Sequence, residues 1–418
     1  DEEHETTYKS DMTPKYDTVE VAIKRAARAR GVVVLGSATP SVVSAYRAKI
    51  GLYRLLTMKK RYNETPLPTV HIADMRTEIE SGNRSVFSAE LYARIASALD
   101  DGKQIILFLN RRGYSPFISC RRCGFVMRCE ECGISMTYHK QAERAICHFC
   151  GKSVRIPEVC PECGSGYLRH FGAGTEKVEE LTRETFPSAT VARLDLDTSA
   201  KKGSINRILR DFGKGRTDIL IGTQMVAKGL DFANVALVGI IAADVSLNIP
   251  DFRSSERTFQ LITQVAGRSG RGEDVGSVVV QTYAPDNYAI AAAVKHDYDG
   301  FYDTEILLRR YMKYPPFSDV IQATILSEDE SAAAAGAESL RRAILSRLGE
   351  GEKSRIFGPH KAAIPKTGDD YRYQMYMKAL PDRRIAYERT LADLKKKMNT
   401  DRALKYRIII DVNPFSLM

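Results

Sequence analysis

All eight cysteines of this 418-residue chain fall between Cys120 and Cys163, in four C-x-x-C pairs: Cys120/Cys123, Cys129/Cys132, Cys147/Cys150 and Cys160/Cys163. No other feature restricts the fold as tightly. Each pair puts two thiolates on one turn, and two turns complete a tetrahedral Zn²⁺ site, so eight thiolates predict two zinc ions. Such clustering argues against a secreted disulfide framework and for metal binding in a reducing compartment. Spacing also predicts the pairing. Five residues separate the first pair from the second, which is tight for closing on one ion, whereas fourteen separate the second from the third. The second pair is therefore expected to join the third, with the first and fourth closing around them. Four thiolates leave zinc no open position, so both sites are expected to be structural. His139 and His148 share this window and are read as packing or hydrogen-bonding residues.

On both sides of the cysteines the pattern is α/β. "TVHIADMR", "KQIILFLNRRGY", "ATVARLDL", "TDILIGTQ", "VALVGIIAAD" and "GSVVVQTY" read as near-continuous apolar strands, as in a parallel sheet covered on both faces. "SAELYARIASALDDG", with Ser88 as N-cap and Gly102 as stop, "TEKVEELTRETF", "SINRILRDFGKG" and "SSERTFQLITQVAGRSG" read as helices. "GVVVLGSATPS" predicts a short buried strand, Val32 to Leu35, with Pro40 opening the next helix. The cysteine segment is thus an insertion soon after one strand of a sheet domain. Beyond Pro315-Pro316 the order becomes β-α-β-β-α-β, a ferredoxin-like α+β unit.

A net charge of +10 and a pI near 9.1 favour an anionic partner such as nucleic acid. No apolar run approaches 20 residues, so no membrane span is expected. The first residues are charged, which predicts no signal peptide. The opening "DEEH", without a starting Met, predicts a fragment of a longer protein.

Several short stretches carry motor chemistry. Acids of the kind in "DEEH" hold Mg²⁺ and activate a water against ATP. In "QVAGRSGR" Arg268 and Arg271 lie three apart, on one helical face, and suit a γ-phosphate held by an opposing domain. Gln264 lies another turn back. "GTQMVAKGLDF" puts Thr223, Gln224 and Lys228 at a strand's C-terminal end, where α/β domains place their sites. Gly229 there permits close backbone approach, and Asp231 can receive a basic partner or a ribose hydroxyl. "FLNRRGY" sets Asn110, Arg111 and Arg112 at another strand end, suited to a phosphate backbone. "GKS" at 151–153 imitates a phosphate loop, but G-x-x-x-x-G-K-[ST] needs Gly where Ile146 stands, and no such loop occurs in the chain.

In their order DEEH, LGSATPS, FLNRRGY, the four cysteine pairs, GTEKVEEL, GTQMVAKGLDF, PDFRSSER, QVAGRSGR, FGPHKAAIPK and DVNP, these stretches resemble the PriA family of replication-restart helicases (primosomal protein N′), in helicase superfamily 2. The resemblance spans essentially the whole chain. It implies a remnant of a first RecA-like helicase domain over 1–60 and a second RecA-like domain over 61–114 and 171–290. The zinc-binding insertion would cover 115–170 and a C-terminal α+β domain 291–418. Asp1 and Glu2 would coordinate Mg²⁺, and His4 would couple ATP state to DNA. Arg268 and Arg271 would reach the phosphates, with Gln264, Gly267, Gly229 and Asp231 also about the nucleotide. Asn110, Arg111, Arg112, Thr223, Gln224 and Lys228 would meet DNA. The family unwinds forks 3′→5′ and binds forked and single-stranded DNA, in the bacterial cytoplasm, at the nucleoid. It works with single-stranded DNA-binding protein, primosome proteins and helicase loaders. A DNA-binding region and a phosphate-loop half precede DEEH in the family and are missing here, so this piece is expected to be inactive alone. Two alternatives stand beside this reading. A non-catalytic zinc-ribbon scaffold would not need the Arg268/Arg271 pair. Another superfamily 2 translocase, such as a branch-migration enzyme, gives no reason for four cysteine pairs.

Overall fold

A computed structural model describes residues 1–58, 67–109, 117–139, 142–170, 174–195, 204–223, 232–267, 276–401 and 404–417. Its centre is a six-stranded, wholly parallel sheet. The strands are β1 (Thr69–Asp74), β2 (Gln104–Phe108), β8 (Val191–Leu194), β9 (Ile219–Gly222), β10 (Val235–Ile240) and β11 (Ser277–Thr282), in the order β1-β11-β10-β2-β9-β8. All six are strands anticipated above. Successive side chains point to opposite faces, so Ile106 and Phe108 enter one core cluster while Ile105 and Leu107 enter the other. Helix Ala89–Asp100 covers the second face through Leu91 and Ile95, and Ser88 caps it by accepting from Leu91 N at 3.2 Å. Helix Ser254–Ala266 covers the first face through Phe259, Ile262 and Val265. Helices Tyr288–Val294 and Tyr298–Met312 straddle the boundary expected at 290/291, and both pack on that same first face.

The cysteine segment leaves the sheet after β2 and returns before helix Thr175–Thr185. A two-stranded antiparallel pair, β3 (Ile118–Cys120) with β7 (Leu168–His170), forms its base. A three-stranded meander of β4 (Thr137–His139), β5 (Arg144–Ile146) and β6 (Ser153–Arg155) forms its body.

The C-terminal unit is β12 (Asp319–Ser327), helix Glu330–Leu348, β13 (Ile356–Thr367), β14 (Asp370–Ala379), helix Arg384–Thr400 and β15 (Arg407–Val412). Its antiparallel sheet runs β13-β14-β12-β15, the ferredoxin-like order.

Two local expectations fail. Residues 32–35 form no strand, and Val32 and Val34 are 88% and 83% exposed. An apolar run becomes a buried strand only with a hydrogen-bonding neighbour, and among the described residues no strand lies beside it. The next helix, Val42–Lys49, is opened by Ser41 and not by Pro40: the Ser41 hydroxyl accepts from Ser44 N at 3.2 Å.

Candidate metal centres and motor site

Four identical turns build the metal region. In each, the first cysteine N–H donates to the carbonyl five residues on: Cys120 to Phe125, Cys129 to Ile134, Cys147 to Lys152 and Cys160 to Ser165. The residue after each second cysteine donates back to the first cysteine's carbonyl. That residue is always glycine, with φ of +78° at Gly124, +66° at Gly133, +81° at Gly151 and +69° at Gly164. A left-handed turn at this point aims both sulfurs the same way, and only glycine adopts it freely. The unit is thus C-x-x-C-G, a signal that the cysteine spacing alone did not reveal.

The turns pair in nested fashion. Cys120, Cys123, Cys160 and Cys163 converge in an outer cluster, and Cys129, Cys132, Cys147 and Cys150 in an inner one, the sulfurs of each within 4.8 Å of one another. Cys120 and Cys163 Sγ are 3.7 Å apart, Cys123 and Cys160 3.6 Å, and Cys129 and Cys150 3.6 Å. A tetrahedron with Zn–S bonds of about 2.3 Å separates its sulfurs by about 3.8 Å. The donor sets therefore fit zinc in both size and chemistry. His139 and His148 stay outside both clusters and meet each other, Nε2 to Nε2, at 2.9 Å. Ser165 Oγ lies 3.3 Å from Cys120 Sγ and 3.1 Å from Cys163 Sγ, a hydroxyl placed to stabilise thiolate charge. Metal analysis of the purified chain is expected to give two zinc equivalents, and one or none would refute the eight-ligand assignment.

The clusters differ in surroundings. Both contribute buried cysteines to one core with Phe149, Phe252, Tyr314, Val320, Tyr376 and Leu417, but Cys163 of the outer one is exposed and the inner one is held by contacts from the C-terminal unit. Phe149 stacks on Tyr376 at 4.8 Å, and Phe252 on Tyr314 at 4.6 Å. Tyr314 Oη donates to Cys132 O at 3.1 Å, and Gln374 Nε2 to His148 O at 3.3 Å. Sheet domain, metal region and C-terminal unit therefore meet at the inner cluster.

Among the described residues, part of the motor set comes together around His4 and Gln264. His4 sits between two distant stretches: Nδ1 is 2.8 Å from Ser37 Oγ and Nε2 is 3.2 Å from Gln264 Nε2. Because the Gln264 amide donates, this arrangement takes the tautomer with hydrogen on Nδ1. DEEH, GSAT and QVAG thus meet at one imidazole. Glu3 N donates to Gly36 O at 3.0 Å, and the Glu3 carboxylate accepts from Ser41 N at 2.5 Å and Ser44 Oγ at 2.9 Å, which ties the acidic stretch to the next helix. Glu2 Oε2 is buried without a hydrogen-bond donor, 3.6 Å from His4 Nδ1. Asp1 is exposed, and its carboxylate accepts from Glu2 N at 3.0 Å.

Gly267 caps the helix that carries Gln264, and Thr223 directly follows β9, its N–H 3.4 Å from Leu194 O. Asn110, Arg111, Arg112, Gln224, Lys228, Gly229, Asp231, Arg268 and Arg271 lie outside the described residues.

Sequence reasoning missed a buried charge network behind this site. Glu256 accepts from Val42 N and from Arg309 Nη2, both at 2.7 Å, while Arg309 Nε donates to Glu305 at 2.7 Å. Burial works against the Glu256 charge, yet Arg309 and the Val42 N–H hold its carboxyl below the usual range. Nearby Asp251, also buried, is held down to about 2 because Arg253 and Arg257 outweigh its desolvation. A carboxylate and an arginine at full burial need partners of this kind, but nothing in "SSER" or "ILLRR" says which residues they are.

Comparison with known proteins decides the family. Residues 310–415 match the primosomal protein N C-terminal domain, 129–155 the PriA DNA helicase Cys-rich region, and 170–273 the helicase conserved C-terminal domain. A replication restart protein PriA from Bacillus subtilis is 45% identical over 420 residues, covering 100% of this chain and 52% of the relative. Another from Synechocystis is 41% identical over 387 residues, covering 90% of this chain and 46% of the relative. The chain belongs to the PriA family. It spans about half the length of these PriA relatives. Its sheet domain is a helicase C-terminal domain, its metal region corresponds to the PriA Cys-rich region, and its last unit is the PriA C-terminal domain. No helix among the described residues is long and apolar enough to cross a membrane.

Proposed function

We propose that this chain supplies one wall of the ATP site, and the strand-engaging part, of a 3′→5′ DNA helicase that acts at stalled forks to restart replication. The observation that carries this is the His4 bridge from Ser37 to Gln264, because a scaffold has no use for it. Glu2 Oε2, buried without a donor, fits a carboxylate that meets Mg²⁺ or a bound water, with Asp1 beside it. When bound, Mg²⁺ would neutralise charge on the transferring phosphoryl group. Gln264 and Gly267 lead directly into Arg268 and Arg271, whose guanidiniums act on the γ-phosphate, with Gly229 and Asp231 near the nucleotide. His4 reads the nucleotide state through Gln264 and passes it to Ser37.

DNA contacts come from Asn110, Arg111 and Arg112 after β2, and from Thr223, Gln224 and Lys228 after β9. Strands β2 and β9 are adjacent and parallel, so the two strands themselves end on the same side of the sheet. The inserted metal region follows the first group in the chain and, in this reading, parts strands and meets primosome proteins. Single-stranded DNA-binding protein and helicase loaders are the other partners of this reading, in the bacterial cytoplasm.

The chain itself should bind forked DNA with an affinity that falls steeply with salt. Each phosphate neutralised steepens the log–log slope by about 0.9. The full-length protein should displace a strand from a 3′-tailed fork only with hydrolysable ATP. Displacement that proceeds equally with a non-hydrolysable analogue, or only from 5′-tailed forks, would overturn the motor reading and favour the scaffold.

A further inference from the structure

The last strand of the chain reaches both sides of the motor site. Asp411 is fixed in β15 opposite Gln322 of β12 and is 5% exposed. Lys9 Nζ lies 2.8 Å from its Oδ1, an ion pair without hydrogen-bond alignment, and donates to Val412 O at 2.9 Å. Lys15 Nζ lies 3.5 Å from Asp411 Oδ2. Lys9 and Lys15 belong to a short loop that begins directly after DEEH and closes on itself, with Ser10 N donating to Tyr16 O at 2.9 Å and a bridge between Lys9 and Asp17. Three residues beyond Asp411, Arg253 Nη2 donates to Pro414 O at 2.7 Å, and Arg257 Nη2 donates to Phe415 O. Tyr376 Oη then holds Leu417 O at 2.7 Å.

These contacts close a ring. DEEH meets Gln264 through His4, and Gln264 lies near the end of helix Ser254–Ala266. At and just before the start of that helix, Arg257 and Arg253 grip 414–415. Residues 411–412 grip the loop that leads back to DEEH. Residues 411–415, the end of β15 and the stretch just after it, thus contact both the loop behind the acidic stretch and the start of helix Ser254–Ala266.

We propose that Asp411 is a positioning residue for the acidic stretch, holding it against the finger helix through Lys9 and Lys15. This rests on the motor reading above. A ligand or partner that draws the C-terminal unit away would release DEEH from Gln264 without touching the nucleotide, so the same clasp links the C-terminal domain's contacts to hydrolysis.

Two measurements test this. Hydrogen exchange on the chain as it stands reads the clasp. Asp411→Asn and Lys9→Met should each speed exchange in residues 5–17 by about tenfold, with β12 unchanged, and the swapped pair Lys9→Asp with Asp411→Lys should restore slow exchange. If Asp411→Asn also loosens β12, Lys9→Met alone decides. Unchanged exchange in 5–17 in that variant overturns the proposal. Steady-state kinetics of the full-length protein reads the positioning. Misplacement of a reacting group by about 1 Å costs about 10²-fold, so Asp411→Asn should lower kcat toward that extent with KM for ATP unchanged, and the swapped pair should recover it. Faster exchange with unchanged kcat overturns the positioning role while leaving the motor reading intact. A wild-type protein without ATPase overturns the motor reading, and positioning with it, whatever the exchange shows.

Discussion

Replacing Arg271 by alanine in the full-length protein is expected to lower DNA-stimulated ATP hydrolysis by about 10³–10⁵-fold while DNA binding stays nearly intact. Phosphoryl transfer offers the protein little covalent work. Catalysis comes from placing groups and from stabilising charge that grows in the transition state. A planar, permanently charged guanidinium suits that task, and loss of a charge felt chiefly in the transition state appears in kcat. Arg271 follows a helix that is fixed at both ends: Gln264 meets His4, and Arg253 and Arg257 hold Pro414 and Phe415. Normal turnover in the alanine variant would mean that "GRSGR" serves some other purpose.

The second large effect concerns the metal. Structural zinc contributes about 10–16 kcal/mol to the folding of small domains. The two clusters are expected to differ in how far that energy spreads. Cys132→Ser removes a ligand from the inner cluster, whose core includes Phe252 of the sheet domain and Tyr314, Tyr376 and Leu417 of the C-terminal part. Its loss should open all three units at their junction, with a large fall in Tm and protease cleavage near residue 314. Cys163→Ser removes the exposed ligand of the outer cluster and should cost one zinc equivalent with damage confined to the base of the insertion. Metal analysis with thermal unfolding of the two variants checks this. Equal falls in Tm would show that the inner cluster has no special part in joining the units.

Much of this architecture is legible in the sequence, for physical reasons. The six strands of the parallel sheet are continuous apolar runs because both faces are covered, and Ile105 to Phe108 feed two separate cores. The nested cysteine pairing follows from loop length. β13 was the least legible strand. It runs from Ile356 to Thr367 through Pro359 and Pro365. Prolines normally argue against a strand, but β13 is an edge strand, where a missing N–H breaks no ladder bond, and its register with β14 shifts around them. Residues 32–35 erred in the opposite sense, since an apolar run does not carry its own neighbour. The motor site was legible as motifs but not as contacts. His4 and Gln264 stand 260 residues apart, and their meeting depends on two domains packing. The Glu256–Arg309 pair and the Lys9–Asp411 clasp were silent because a charged residue in a sequence looks the same whether solvated or buried.

The proposed function gives these residues the finger wall of an ATP site and not the cradle for its phosphates. In motors of this kind, backbone N–H groups of a glycine-rich loop and its lysine hold the β- and γ-phosphates, and the loop hydroxyl helps hold Mg²⁺. This chain has no G-x-x-x-x-G-K-[ST] stretch. Within it, ATP would meet only the acids at residues 1–3 and the finger arginines. Positioning supplies most of the rate in phosphoryl transfer, so one wall should leave almost none of it. The direct test is steady-state ATP hydrolysis by this chain, with and without forked DNA. Binding of the DNA with no DNA-dependent turnover is expected. Turnover comparable to that of a whole helicase would place a phosphate site within these 418 residues and contradict the one-wall reading.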